Sequence, residues 1–386
     1  MTDLSILDLY NRMLNGDYGK RISYYENVYL NNNFLDLNYS DIIQYFTVGG
    51  KQACLPDEVK GFFTIDNQGM KRVQHMFSVY LSGIYCYDNI PKVCQAFNQY
   101  IKKIWRKSNR VIVGDSNIDD DNLRRDFLYI WFLTSLFHDI GYPVEKEAYN
   151  ESSEYTSIIS NEEMMSKKYL GNTLYVLGIP QKIRKASPKY FYHRRNSVKF
   201  NDNLCVDHGF AGGLRLFQIL KKLHYKNRSR QQDDWVCKRI PYNENRLIFS
   251  PIIFRYYNIP AAWAIICHNI WLAESGTERE YKYLDFSLGD LVYTANNSPI
   301  KCEKHPLLFL LDFIDTIGFS KKMDDMVDLN NIYLSTNHNE IFFSFESQLF
   351  EKNTDIFKIV DDDLSFLKSQ SFNINVANNG IKFIFI

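Results

Sequence analysis

The stretch from Phe127 to Phe137 reads Phe-Leu-Tyr-Ile-Trp-Phe-Leu-Thr-Ser-Leu-Phe, with no charged residue and no polar side. A helix written this way has nowhere to face water, so other elements must surround it. Yet it ends in His138-Asp139, just before Gly141 and Pro143 stop the helix. The bland explanation is a helix terminus whose His and Asp satisfy loose backbone groups. A His-Asp step arises by chance in roughly half of sequences with this content, so the pair alone decides little. Other metal-ligating side chains on equally buried helices would decide more.

Bulk properties narrow the classes. The 386 residues suffice for a large helical domain with an appendage. Lys plus Arg equals Asp plus Glu at 45 each. No global field therefore draws the chain to nucleic acid or membrane, and nucleic acid is not an expected partner. Seven Cys, without a Cys-x-x-Cys pair, read as reduced thiols. No window is long and apolar enough to span a bilayer, and the first residues carry no signal-peptide pattern. The expectation is a cytoplasmic protein with no membrane partner. Self-association into a homo-oligomer is left open.

Along the chain, residues 1–60 read as a helical extension, 61–328 as the main domain, and 329–386 as a small module of mixed grammar. A helix is expected from about Lys71 to Cys86, with Val73, Met76, Phe77, Tyr80, Leu81 and Ile84 on one face. His75 lies among small residues on the other face, which points it inward. A lone inward His is more often a hydrogen-bonded core residue than a ligand. Arg106–Asn122 reads as a polar connection, with Asp119–Asp121 opening the next helix. Residues 145–190 read as a polar insertion, followed by the basic turn-like segment Tyr192-His-Arg-Arg-Asn196. Asp207 is placed to cap a helix starting at His208, and Gly209, Gly212 and Gly213 would admit another backbone or a ligand. Leu220–Tyr242 reads as a charged surface loop. Asn258 and Pro260 open another all-apolar helix, whose interior polar residues are His268 and Asn269. Residues 305–318 repeat the theme, with Asp312 and Asp315 on one face. Beyond about Asp328, two hairpins flank a helix at Asp355–Ser369: Ile332–Ser335 with Glu340–Glu346, then Phe372–Val376 with Ile381–Ile386.

Collected, the inward polar residues are His75, His138-Asp139, His208, His268 and Asp315, each on its own apolar helix in a chain of eight His. Imidazole and carboxylate suit divalent ions such as Mn, Fe, Co, Ni and Zn, with Mg as a further candidate. Six ligands exceed one tetrahedral site and match two metals sharing a carboxylate. In order and residue type this set resembles the HD superfamily of metal-dependent phosphohydrolases. The match runs through His75, the pair inside Leu136-Phe-His-Asp-Ile-Gly141, and Asp315 inside Leu311-Asp-Phe-Ile-Asp-Thr-Ile317. His208 in Asp-His-Gly and His268 in Ile-Cys-His-Asn resemble the extra ligands of the dinuclear subset.

The resemblance covers about residues 70–320 and implies a mainly α HD helical bundle with a small α+β C-terminal module. It implies two divalent metal ions held by the six residues, with Asp139 bridging and catalytic. The implied activity is hydrolysis of a phosphoester, as in a phosphodiesterase. The partner would then be a small-molecule phosphorylated substrate, a nucleotide or cyclic (di)nucleotide. Arg194 and Arg195 are candidate phosphate binders, His193 a candidate general acid and Lys146 a weaker catalytic candidate. Ligand spacings of 60–70 residues are long for the family, and Tyr142 stands where one cyclic-dinucleotide subgroup has Lys. The alternatives are an inactive nucleotide sensor or scaffold, and an HD-type di-iron oxygenase such as myo-inositol oxygenase.

Overall fold

The computed structural model describes residues 66–107, 120–142, 183, 186, 189–190, 207–230, 254–270, 273–274, 276, 278–293, 300–318, 332–345, 360, 364, 372–377 and 380–386. The fold is mainly helical. Helix α1 (Asp66–Asn89) leads through a short break at Ile90 into α2 (Pro91–Lys107). Helix α3 (Asp120–Phe137) carries the apolar run, and α4 spans His208–Arg230. A π-helical turn at Phe254–Asn258 runs into α5 (Ile259–Cys267). The short α6 (Glu278–Asp285) lies against a two-residue parallel bridge of β1 (Ala273–Glu274) and β2 (Val292–Tyr293). Helix α7 spans Pro306–Thr316.

Helix α3 is central. It lies against α1, α2, α4, α5 and α7, which accounts for its lack of a polar face. Tyr87 of α1 stacks on Phe127 with ring centroids 3.9 Å apart, and Phe97 of α2 meets the same ring edge-on at 4.8 Å. A side chain on Gly83 would overlap the Trp131 ring, and the Trp131 indole donates to the Tyr80 carbonyl at 2.8 Å. Together these contacts fix how α1, which bears His75, seats on α3.

Several expectations need correction. The helix bearing His75 is longer than Lys71–Cys86, running Asp66–Asn89. Helix α2 was not foreseen, although Val93, Ala96, Phe97, Tyr100, Ile101 and Ile104 bury one regular stripe and Pro91 sits at its first position. It also takes in Arg106, so the polar connection begins later than expected. Leu220–Arg230 is helical rather than loop: α4 continues because Leu220 is still in the core and the Lys- and Arg-rich tail contains no helix breaker. Asn258 does not cap α5 with its side chain, because the π-helical turn already places it in helical backbone. Its Oδ1 instead accepts from the Tyr129 hydroxyl at 2.7 Å. Asp207 does cap α4: its Oδ1 accepts the Phe210 N–H at 3.0 Å. The segments 1–65 and 143–182 lie outside the described residues, as does most of 355–369.

The strands fall within a residue or two of the expected runs: β3 (Ile332–Asn337), β4 (Glu340–Phe345), β5 (Phe372–Ala377) and β6 (Gly380–Phe385). The two hairpins join into one antiparallel sheet of order β3-β4-β6-β5. Its Phe372, Phe383 and Phe385 pack on Phe313 of α7 at 5.1, 5.1 and 5.4 Å between centroids. The sheet therefore backs the helix that carries Asp312 and Asp315. Phe313→Ala should destabilise the protein by about 3–5 kcal/mol in denaturant titrations. A loss below about 1 kcal/mol would mean that the sheet adds little to the seating of α7.

Candidate metal centre

Helices α3 and α5 end in the same device. His138 directly follows α3, with Nδ1 2.6 Å from the Ser135 carbonyl oxygen. His268 directly follows α5, with Nδ1 2.7 Å from the Ile265 carbonyl oxygen. The last carbonyls of a helix lack amide partners, so each terminus offers an acceptor three residues back. A carbonyl only accepts, so each Nδ1 carries the proton and each Nε2 presents a lone pair. This is the tautomer a metal requires, fixed by the outer hydrogen bond. Burial, and next the neighbouring His208, push the His268 imidazole down to about 4, which keeps it neutral near pH 7.

Around these two rings the other groups converge. His75 Nε2 lies 2.7 Å from Asp315 Oδ1 and 3.4 Å from His138 Nε2. His138 Nε2 lies 3.2 Å from Asp139 Oδ1 and 3.4 Å from Asp315 Oδ1. Asp139 turns its Oδ2 toward His75 Nε2 at 3.9 Å, and its Oδ1 toward His208 Nε2 at 3.6 Å. Two groups of metal-ligating residues result: His75, His138 and Asp139, and then Asp139, His208 and His268. Within each group the candidate atoms lie within 4.8 Å of one another, and Asp139 belongs to both. Metal–ligand bonds of about 2.1 Å put neighbouring donors roughly 3.0 Å apart at right angles and 3.4 Å apart in a tetrahedron. The measured edges fall around those values.

The surroundings enforce this convergence. A Cβ on Gly209 would stand 2.7 Å from His268 Cε1, and one on Gly213 would stand 2.5 Å from the Ala262 carbonyl oxygen. The small residues of α4 therefore let its backbone meet α5 and leave room for a ligand ring. A Cβ on Gly318 would lie 2.8 Å from His75 Cε1, a close approach that the sequence reading overlooked. His138 and Asp139 are sealed, with side-chain exposures of 0% and 1%, whereas Asp315 shows 14%. The centre thus opens on the Asp315 side.

Beyond the six, Tyr142 stacks on the His208 ring at 3.7 Å and 14°. Asn269 Nδ2 lies 2.9 Å from His208 Nε2. Neither had been assigned a role, although each directly adjoins a motif already singled out. Asp312 stays apart: both carboxylate oxygens are buried without a hydrogen-bond partner. Burial, and secondarily Asp315, raise its carboxyl well above the usual range, so it is uncharged at neutral pH. His193, Arg194, Arg195 and Lys146 lie outside the described residues. Comparison with protein-family models, curated proteins and solved structures finds no match in any of the three.

The two acidic residues of α7 should behave differently. Asp315→Asn should reduce bound divalent metal, whereas Asp312→Asn should retain it and raise the melting temperature at pH 7, because it removes a buried acid without a partner. The reverse pattern of metal content would exchange their roles. His268 gives a pH signature in the metal-free protein. With a folded pKa near 4 against about 6.5 unfolded, its contribution is intact above pH 6.5 and lost as pH falls toward 4. The loss should be on the order of 3 kcal/mol, and His268→Gln should flatten that slope in denaturation curves. Equal slopes would put the His268 ring in water.

Proposed function

We propose that this chain is a divalent-metal-dependent phosphohydrolase of the HD type that cleaves a phosphoester in a nucleotide or cyclic nucleotide. The observation that carries the reading is one buried carboxylate, Asp139, shared by two His-containing groups that can each hold a metal ion. A single structural or mononuclear site has no need of that sharing. In this reading His75, His138, Asp139 and Asp315 hold one ion, and Asp139, His208 and His268 hold the other.

Divalent ions bound there supply Lewis acidity and bring the pKa of a coordinated water toward neutrality. The chain's own contribution is geometric and electrostatic. His138 and His268 are held in the ligating tautomer by helix-end carbonyls, so little rearrangement precedes ion binding. The apolar wall formed by Phe132, Leu136, Phe137 and Ile140 excludes water behind the site and strengthens its electrostatics. No Lys or Arg is among the six ligating residues, so the remaining phosphate charge is assigned to Arg194, Arg195 and Lys146. His193 is assigned to protonate the leaving alkoxide.

Protein purified without chelator should carry about two divalent ions per chain, and His138→Ala or Asp139→Ala should empty the centre while the helices persist. A panel of nucleotides scored by product mass should show hydrolysis with Mn²⁺ in the absence of O₂, and Asp139→Asn should cut turnover by about 10²-fold or more. Iron-dependent O₂ consumption would replace this reading with an oxygenase. Tight nucleotide binding without products would replace it with a sensor.

A further inference from the structure

The two halves of the centre are not equally prepared for a metal. The Nε2 atoms of His138 and His268 present lone pairs because each Nδ1–H is committed to a carbonyl. His208 differs: its Nε2, 3.6 Å from Asp139 Oδ1, is met by the Asn269 side-chain amide at 2.9 Å. As placed, the amide nitrogen donates into the His208 lone pair. If the amide were turned over, its oxygen would accept, and Nε2 would have to carry the proton. Either orientation occupies the ring position from which His208 would ligate. Backbone movement offers no way round, because a Cβ on Gly141 would stand 1.9 Å from the His208 carbonyl oxygen, so the two chain segments are already in contact. Tyr142, stacked on the ring face at 3.7 Å, limits its tilt.

We propose that Asn269 is a competing partner for His208: its amide holds Nε2 and thereby weakens the second metal position relative to the first. This rests on the dinuclear reading above and adds an order of filling. The position built by His75, His138, Asp139 and Asp315 fills first. The position built by Asp139, His208 and His268 fills only when an ion displaces the Asn269 amide. Asn269 is half-buried at the end of α5, directly after His268, so its side chain can swing away without disturbing the helix. Occupancy of the second position then depends on free metal concentration, and so would any activity that needs both ions.

The test is a Mn²⁺ titration of chelator-treated protein, following free Mn²⁺ by electron paramagnetic resonance. Wild type, Asn269→Ala, the near-isosteric Asn269→Leu, and His208→Ala would be compared. Wild type should bind in a tight and a weaker step. Both Asn269 variants should tighten the weaker step about five- to tenfold, the effect of removing one hydrogen bond, and leave the tight step unchanged. A wild type showing one step and Asn269 variants showing two would support the same competition more strongly. If both Asn269 variants leave the weaker step unchanged or weaken it, while His208→Ala abolishes it, the competition is overturned and the dinuclear reading survives. If His208→Ala retains both steps, His208 is not a ligand, and both readings fall.

Discussion

Two carboxylates drawn into an apolar helical core set the central constraint on this molecule. Asp139 is fully buried, and Asp315 lies 2.7 Å from His75 and 3.4 Å from His138. Removing a carboxylate from water costs several kcal/mol unless cations or dense hydrogen bonding compensate. Imidazole makes weak compensation when neutral, and burial holds His268 neutral. The cluster therefore calls for a cation that is not a side chain. Asp312 shows what happens without one: close to the same cluster in sequence, it keeps its proton.

The fold meets this demand through helix ends and close approaches. Two helices stop where their last carbonyls orient His138 and His268, and α4 begins at His208 under the Asp207 cap. Ligands at termini converge more readily than ligands at helix middles, because the ends of several helices can meet at a point while their axes remain about 8–10 Å apart. Glycines shorten the distances further. At Gly141 and Gly209 even a methyl group would collide with ligand-bearing segments. The polar cluster and the small residues are thus one arrangement.

Much of this was legible in the sequence, because burial leaves a clear trace. An apolar run that ends in His-Asp, or carries Asp at its wet end, identifies a buried ligand whatever the topology, and the structure brings His75, His138, Asp139, His208, His268 and Asp315 together. The glycines of α4 were readable for the same reason. What escaped was information carried by spatial neighbours. Asn269 was visible as an interior polar residue, but its partner lies 61 positions away. The π-helical turn that removes Asn258 from its capping role depends on Tyr129, 129 positions earlier. Helix α2 was missed despite its regular stripe, because attention to chemistry passed over a helix with none. The continuation of α4 into charged sequence was missed because exposure was mistaken for irregularity.

The C-terminal sheet bears on the centre without touching its chemistry. Helix α7 has Asp315 on the side facing His75 and Phe313 on the side facing β5 and β6. With side chains reaching about 5–6 Å from a helix axis, a 10° rotation moves a carboxylate by roughly 1 Å. Metal ligation tolerates only about 0.2 Å. Apolar contacts with α1, α2, α3 and α5 can slide by that amount at small cost, since similar side chains follow one another around α7. An edge-on cluster of Phe313 with Phe372, Phe383 and Phe385 is less forgiving, because each ring is bounded by the next. The sheet thus fixes the rotation of α7, and through it the position of Asp315 relative to the ligands on α1 and α3.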